Sequence, residues 1–147
     1  MIPTIKRARK IVFIFLLVIF FSSCKSQEFR KVCLKGICVD SEIADTDQER
    51  AKGLMYREDL GKGKAMLFIF DTAAAYSFWM KNMRFSLDMI WIGADKRIVD
   101  IKTDVPPCSQ NVCESFTPAG PAQFVLECPA GFVKKHGISV RDPVAIR

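Results

Sequence analysis

Residues 87–103, LDMIWIGADKRIVDIKT, decide the fold class. Leu87–Ile92 is apolar on both faces except at Asp88. Six such residues are too few for a buried helix and suit a strand covered on both sides. Gly93-Ala94-Asp95-Lys96 then supplies turn chemistry, and Arg97–Thr103 returns as the partner strand. Upstream, Ser77–Lys81 and Met66–Phe70 read as two more strands. Further back, Phe29–Leu34 and Ile37–Val39 flank Lys35-Gly36, a two-residue hairpin in which Gly supplies a positive φ. Downstream, Pro106-Pro107 breaks the chain, 108–122 is an ordered loop, and Gln123–Cys128 and Val144–Ile146 are strands. Helix is scarce. Thr46-Asp47-Gln48-Glu49 forms a capping box that starts a helix at Asp47, running to about Met55, and Gly131–His136 makes a short C-terminal helical turn. Many short strands with little helix predict a mainly β domain, a compact sandwich or barrel.

The first 23 residues do not belong to that domain. Lys6, Arg7, Arg9 and Lys10 precede an unbroken apolar run, Ile11–Phe21. A basic start followed by about 7–15 apolar residues is the layout of an export signal, and a permanent span needs about 20. Ser22-Ser23-Cys24 resembles the lipobox of bacterial prolipoproteins, with Phe21 where Leu is usual. The expectation is a signal peptide over 1–23, a lipid-bearing Cys24 with a tether over 24–31, and a single domain over 32–147. Membrane attachment through Cys24 places that domain in the cell envelope, outside the cytoplasm. Lys25 after the lipid Cys favours the outer membrane, by resemblance to enterobacterial sorting. Four of the 22 basic side chains lie in the signal and none of the 16 acids does, so the charge falls from +6 to +2 without it. Neither that charge nor any basic run with interleaved aromatics suits a nucleic-acid partner.

An exported chain is free to form disulfides. Besides Cys24 there are Cys33, Cys38, Cys108, Cys113 and Cys128. A two-residue turn at Lys35-Gly36 sets Cys33 opposite Cys38, at about 4.5 Å between Cα atoms, the short edge of disulfide reach. Cys108 and Cys113 close the loop after Pro107. Cys128, alternating with Phe124 and Leu126, reads as a buried small hydrophobe. Two cysteine pairs also raise zinc, but the spacing is long and His136 is distant, so no metal is assigned.

IADTDQERAKGLMYREDL (43–60), MLFIF (66–70), FWMKNM (78–83), LDMIWI (87–92), VPPC (105–108) and FVLECPAGF (124–132) follow one another in a specific order. Together they resemble the family catalogued as domain of unknown function 192, over about residues 37–146. The resemblance implies a jelly-roll-like, mainly β fold with one short helix, and no established biochemical role. The family's characteristic positions fall on Glu49, Arg50, Gly53, Leu54, Met55 and Arg57, on Phe78–Asn82, on Leu87 and Asp88, and on Leu126, Glu127 and Gly131. Three features depart from it. Met83 replaces a Thr, Arg141 precedes Asp142 where Gly-Asp is usual, and Cys33–Cys38 is an addition. Cys108–Cys113 resembles a pair found in part of the family.

The polar residues that interrupt these apolar strands are the candidates for function. Asp88 sits among apolar neighbours, and a buried charge requires a partner. One reading pairs it with Arg50, Arg57 or Lys81 as an internal brace. The other makes Trp79 and Phe78 the walls of a pocket, with Lys81, Asn82, Asp88, Arg50 and Arg57 as its polar groups. The leading expectation is therefore a non-catalytic binding or accessory module for a small molecule or an envelope protein, with no cofactor. An envelope enzyme using Lys81 and Asp88 is the alternative, though no triad, metal cluster or phosphate loop supports it. A Cu(I) site on Met80 and Met83 with Met55, Met66 and Met89 is the third.

Overall fold

The computed structural model describes residues 28–147. The predicted signal and Cys24 lie outside the described residues. Nine strands and two short helices follow one another: β1 (Phe29–Leu34), β2 (Ile37–Ala44), α1 (Asp47–Lys52), β3 (Lys64–Ala74), β4 (Phe78–Trp79), β5 (Leu87–Ile92), β6 (Ile98–Val105), β7 (Ser115–Phe116), β8 (Ala122–Pro129), α2 (Phe132–His136) and β9 (Val144–Ile146). Seven strands form one sheet in the order β6-β5-β8-β3-β2-β1-β9, and β4 pairs with β7. All pairs are antiparallel except β2 with β3.

The domain is mainly β, and of the two predicted architectures the barrel is the closer. One sheet curls into a half-barrel until its outer strands meet. Arg97 bridges Pro143, Ile98 N–H donates to Asp142 O at 3.1 Å, and Arg141 N–H donates to Ile98 O at 2.8 Å. Arg141 holds φ 73, the left-handed conformation for which the family's Gly is suited. Arg141 carries a steric cost at this turn.

Two cores follow from the alternation of side chains along strands. Val32, Val39, Leu67, Ile90, Leu126 and Val144 meet inside the curl, with Val133 of α2. On the opposite face of the central strands, Phe68, Met89, Trp91 and Val125 pack beneath Leu54 and Met80. β5 is therefore buried at all six positions, as its unbroken apolar run requires.

Local differences from the sequence reading have physical causes. β1 begins at Phe29, which pairs with Glu42, so residues 29–31 belong to the sheet and not to the tether. The capping box forms as expected, with Glu49 N–H on Thr46 Oγ1 at 3.2 Å and Thr46 N–H on Glu49 Oε2 at 3.2 Å. The helix stops at Lys52, three residues early, because Gly53 turns to φ 46. A Cβ at Gly53 would lie a tight 3.2 Å from the Phe68 ring, which adds to the preference for Gly at this positive-φ reversal. The strand expected over Ser77–Lys81 shrinks to Phe78–Trp79, and its partner β7 lies inside the segment read as loop.

Cys33–Cys38 and Cys108–Cys113 are disulfide-bonded, and Cys128 is free and buried. Lys35 and Gly36 both have positive φ, as a two-residue hairpin turn demands, and this sets Cys33 opposite Cys38. Burial pushes the Cys128 thiol well above the usual range, with Asp88 and Glu127 adding to the effect. Thiol labelling of the oxidised domain is expected to modify no cysteine in the native state and Cys128 alone after denaturation. Three or more modified cysteines would show that a bridge is absent.

Candidate functional site

The polar residues flagged from sequence part into two groups. Asp88, fully buried, points into the interior of the curl. Its carboxylate accepts backbone N–H groups of Asp104 at 2.8 Å, Gly131 at 3.2 Å and Val133 at 2.8 Å. Three donors from two chain segments satisfy the charge, so the partners expected among Arg50, Arg57 and Lys81 are not used. Asp88 ties the end of β6 and the start of α2 to β5. It lies on the opposite face of the sheet from Trp79 and Lys81, which corrects its placement in their pocket and removes the Lys81–Asp88 pair.

Arg57 grips Glu42 with two bonds, 2.8 and 2.7 Å, away from Trp79. That hydrogen bond, ahead of the cost of burial, holds the Glu42 carboxyl below its ordinary value. Asn82 takes φ 57, which Asn tolerates better than most residues, and its Nδ2 donates to Tyr56 Oη at 2.8 Å. Arg57 ties the loop after α1 to β2 and Asn82 joins two loops; neither lines the cavity at Trp79.

Trp79, Lys81 and Arg50 do line one, together with Phe78. The cavity measures about 330 Å³, within the range of small-molecule sites. It lies between the C-terminal end of α1, β3 and the segment around β4. Its walls are aromatic. Phe78 meets Phe68 edge-on at 4.8 Å between centroids, and Phe70 stacks on Tyr76 at 3.6 Å. Trp91 Nε1 donates to Tyr76 O at 2.9 Å and fixes that wall from beneath.

Cations stand at the rim. Arg50 lies 5.2 Å over the Phe70 ring, donates to Ile69 O at 2.8 Å and pairs with Asp47 at 2.6 Å. It thus braces α1 against β3. Lys81 Nζ lies 5.3 Å over the Trp79 ring. Trp79 itself is 46% exposed, an unusual placement for so large an apolar side chain.

The cavity's one acid is Glu127 of β8, which the sequence marks as a characteristic family position but not as a site residue. It is 4% exposed and its carboxyl accepts no hydrogen bond from a described residue. Burial alone pushes it up from 4.5 to about 8. In register it lies between Met66 of β3 and Met89 of β5. A signal was present: in FVLECP, Phe124, Leu126 and Cys128 take one face, Val125 and Glu127 the other, and an acid interrupts a strand apolar on both sides. The methionines considered as Cu(I) ligands divide similarly. Met66, Met80 and Met89 are buried packing residues, while Met55 and Met83 line the cavity.

This geometry defines a class: a small curled-sheet domain with an aromatic-walled cavity on the outer face of its central strands. The chain belongs to the DUF192 family, described as "Uncharacterized ACR", whose profile matches residues 30–146. It is 29% identical over 104 residues to a UPF0127 protein of Thermococcus kodakarensis, covering 71% of this chain and 62% of that one. A UPF0127 protein of Pyrococcus abyssi is 33% identical over 108 residues, covering 70% and 82%. Two solved structures share the fold. A protein of unknown function from Novosphingobium aromaticivorans is 33% identical with a TM-score of 0.72, covering 81% of this chain and 84% of its own. A protein from Sinorhizobium meliloti titled a putative transcription regulator is 31% identical with a TM-score of 0.73, covering 83% and 96%.

Proposed function

We propose that this protein is an exported, lipid-anchored binding domain that holds a small molecule in the cavity beneath Trp79. The observation that supports this reading is the cavity: aromatic walls, an exposed Trp at its mouth and a buried acid that no described residue satisfies. Binding sites are mostly apolar with a few convergent polar groups. The buried acid matches that pattern, since a protein that needed only packing at Glu127 would be more stable with an apolar residue there. The basic, apolar N-terminal segment and Ser22-Ser23-Cys24 support the anchor. Several acyl chains on one Cys hold a protein on a membrane far better than one.

A thermal-shift screen of the full chain in detergent tests the binding reading. A ligand at a hundred times its dissociation constant adds about 2.7 kcal/mol, a rise of several degrees in melting temperature. Trp79→Ala is expected to lose that rise, at the cost of a modest drop in the unliganded melting temperature, because Trp79 is about half-exposed. No rise across metals, amines, sugars, cell-wall fragments and nucleotides would move the assignment to a protein partner. Cys24→Ser is expected to shift the protein from the membrane fraction to the soluble fraction; retention in the membrane would refute the anchor.

A further inference from the structure

The floor of the cavity holds an acid without a partner. An ionised carboxylate offers about four acceptor sites, and no described side chain or amide donates to Glu127. A carboxyl so placed carries a desolvation cost that a donor from outside would relieve. The walls narrow the choice of donor. Aromatic faces are electron-rich and attract cations. Two rings at this cavity already hold one each: Arg50 over Phe70 and Lys81 over Trp79. An anion would find Arg50, Lys52 and Lys81 at the rim, but at the floor only ring faces and the Glu127 carboxyl, which once ionised donates nothing to it. A neutral alcohol would offer a single donor and leave most of the carboxylate unsatisfied.

We infer that the cavity takes a primary or secondary ammonium carried on an apolar body, with its N–H groups on the Glu127 carboxylate and its body against the aromatic walls. The inference rests on the binding reading above and names its ligand class. The rim cations do not fill this role. Arg50 is held by Asp47 and two backbone carbonyls, and Lys81 lies out over the exposed Trp79.

The charged and titratable groups around the acid set its pH behaviour. Arg50 and Lys52 face the cavity from α1, Tyr76 from the loop after β3, and Lys81 from the segment after β4. β3 and β5 present only Met66 and Met89 beside Glu127. Asp88 and the Cys128 thiol lie on the other face of the sheet. Ammonium binding requires ionised Glu127, which burial has pushed to about 8. Binding therefore releases a proton as pH falls below that value, and apparent affinity falls with the ionised fraction.

Calorimetric titration of the full chain with phenethylamine, 2-phenylethanol and phenylacetate tests the inference. The amine is expected to bind about tenfold or more tightly than the alcohol, and phenylacetate not at all. Amine affinity is expected to fall by about tenfold or more from about pH 8.5 to about pH 6. Glu127→Gln is expected to abolish both the amine preference and the pH dependence. If that variant does not fold, the wild-type pH profile decides the class. Equal binding of amine and alcohol, or tighter binding of phenylacetate, would overturn the ammonium inference and leave the binding site standing. Failure of all three to bind, with no hit in the thermal-shift screen, would overturn both.

Discussion

Asp88→Ala is expected to lower the melting temperature by about 10 °C or more. The substitution removes one carboxylate and leaves three backbone N–H groups, on Asp104, Gly131 and Val133, without their acceptor. Each unsatisfied buried donor costs about 1–3 kcal/mol, and charge-assisted bonds lie at the upper end. Water entering the space would recover part of that, so a net loss of about 3–5 kcal/mol is expected. Asp88→Asn should lose less, since one amide oxygen still accepts, but its NH₂ would face an N–H donor. Circular dichroism during heating measures both. A change within about 2 °C for the Ala variant would show that the three bonds contribute little and would reopen a functional role for Asp88. Because Lys81 stands at the rim of the cavity and not beside Asp88, Lys81→Ala is expected to leave the melting temperature nearly unchanged.

Glu127→Gln is expected to stabilise the domain increasingly as pH rises. The sign follows from proton counting. The carboxyl titrates near 4.5 when unfolded and at about 8 when folded, because burial disfavours its charged form. Below 4.5 both states hold the proton and the acid costs nothing through ionisation. Between 4.5 and about 8 the unfolded chain releases its proton while the folded chain keeps it, so wild-type stability falls with pH. The loss is about 1.4 kcal/mol for each pH unit until the folded pKa is passed. Gln does not titrate, so the stability gap between variant and wild type should widen over that window and then level off. Urea denaturation at several pH values reads the gap directly. A gap independent of pH would mean that Glu127 is hydrated or paired in the folded state, and would remove the basis for an ammonium ligand.

Much of the fold was legible because it rests on local rules. The capping box at Thr46 and Glu49, the two-residue turn at Lys35-Gly36 and the turn after Ile92 act over a few residues. The Cys33–Cys38 pairing followed from that turn. Doubly buried strands announced themselves in runs without polar alternation, as in Leu87–Ile92. Boundaries were less legible. α1 ends at Lys52 because Gly53 turns to φ 46, and the Phe68 ring packed beside Gly53 is sixteen residues further along the chain than Lys52. The brief β4–β7 pairing joins segments nearly forty residues apart and carries no strong local pattern.

The candidate site shows the same division more sharply. Two acids, Asp88 and Glu127, are legible in the sequence within strands apolar on both faces, as are Phe78, Trp79 and Lys81 in one polar-interrupted aromatic segment and Arg50 in the capped helix. Only the tertiary structure decided which of these meet. Asp88 and Glu127 stand one step out of register on neighbouring strands, Asp88 opposite Cys128 and Met89 opposite Glu127. Successive residues on a strand point to opposite faces, so one acid enters the interior and the other the outer cavity. There backbone amides of β6 and α2, invisible in side-chain patterning, satisfy Asp88, while Glu127 faces the aromatic cavity with no donor among the described residues. Two acids with the same sequence signature thus acquire opposite roles, because pairing register fixes the face and the elements packed on that face fix the partners.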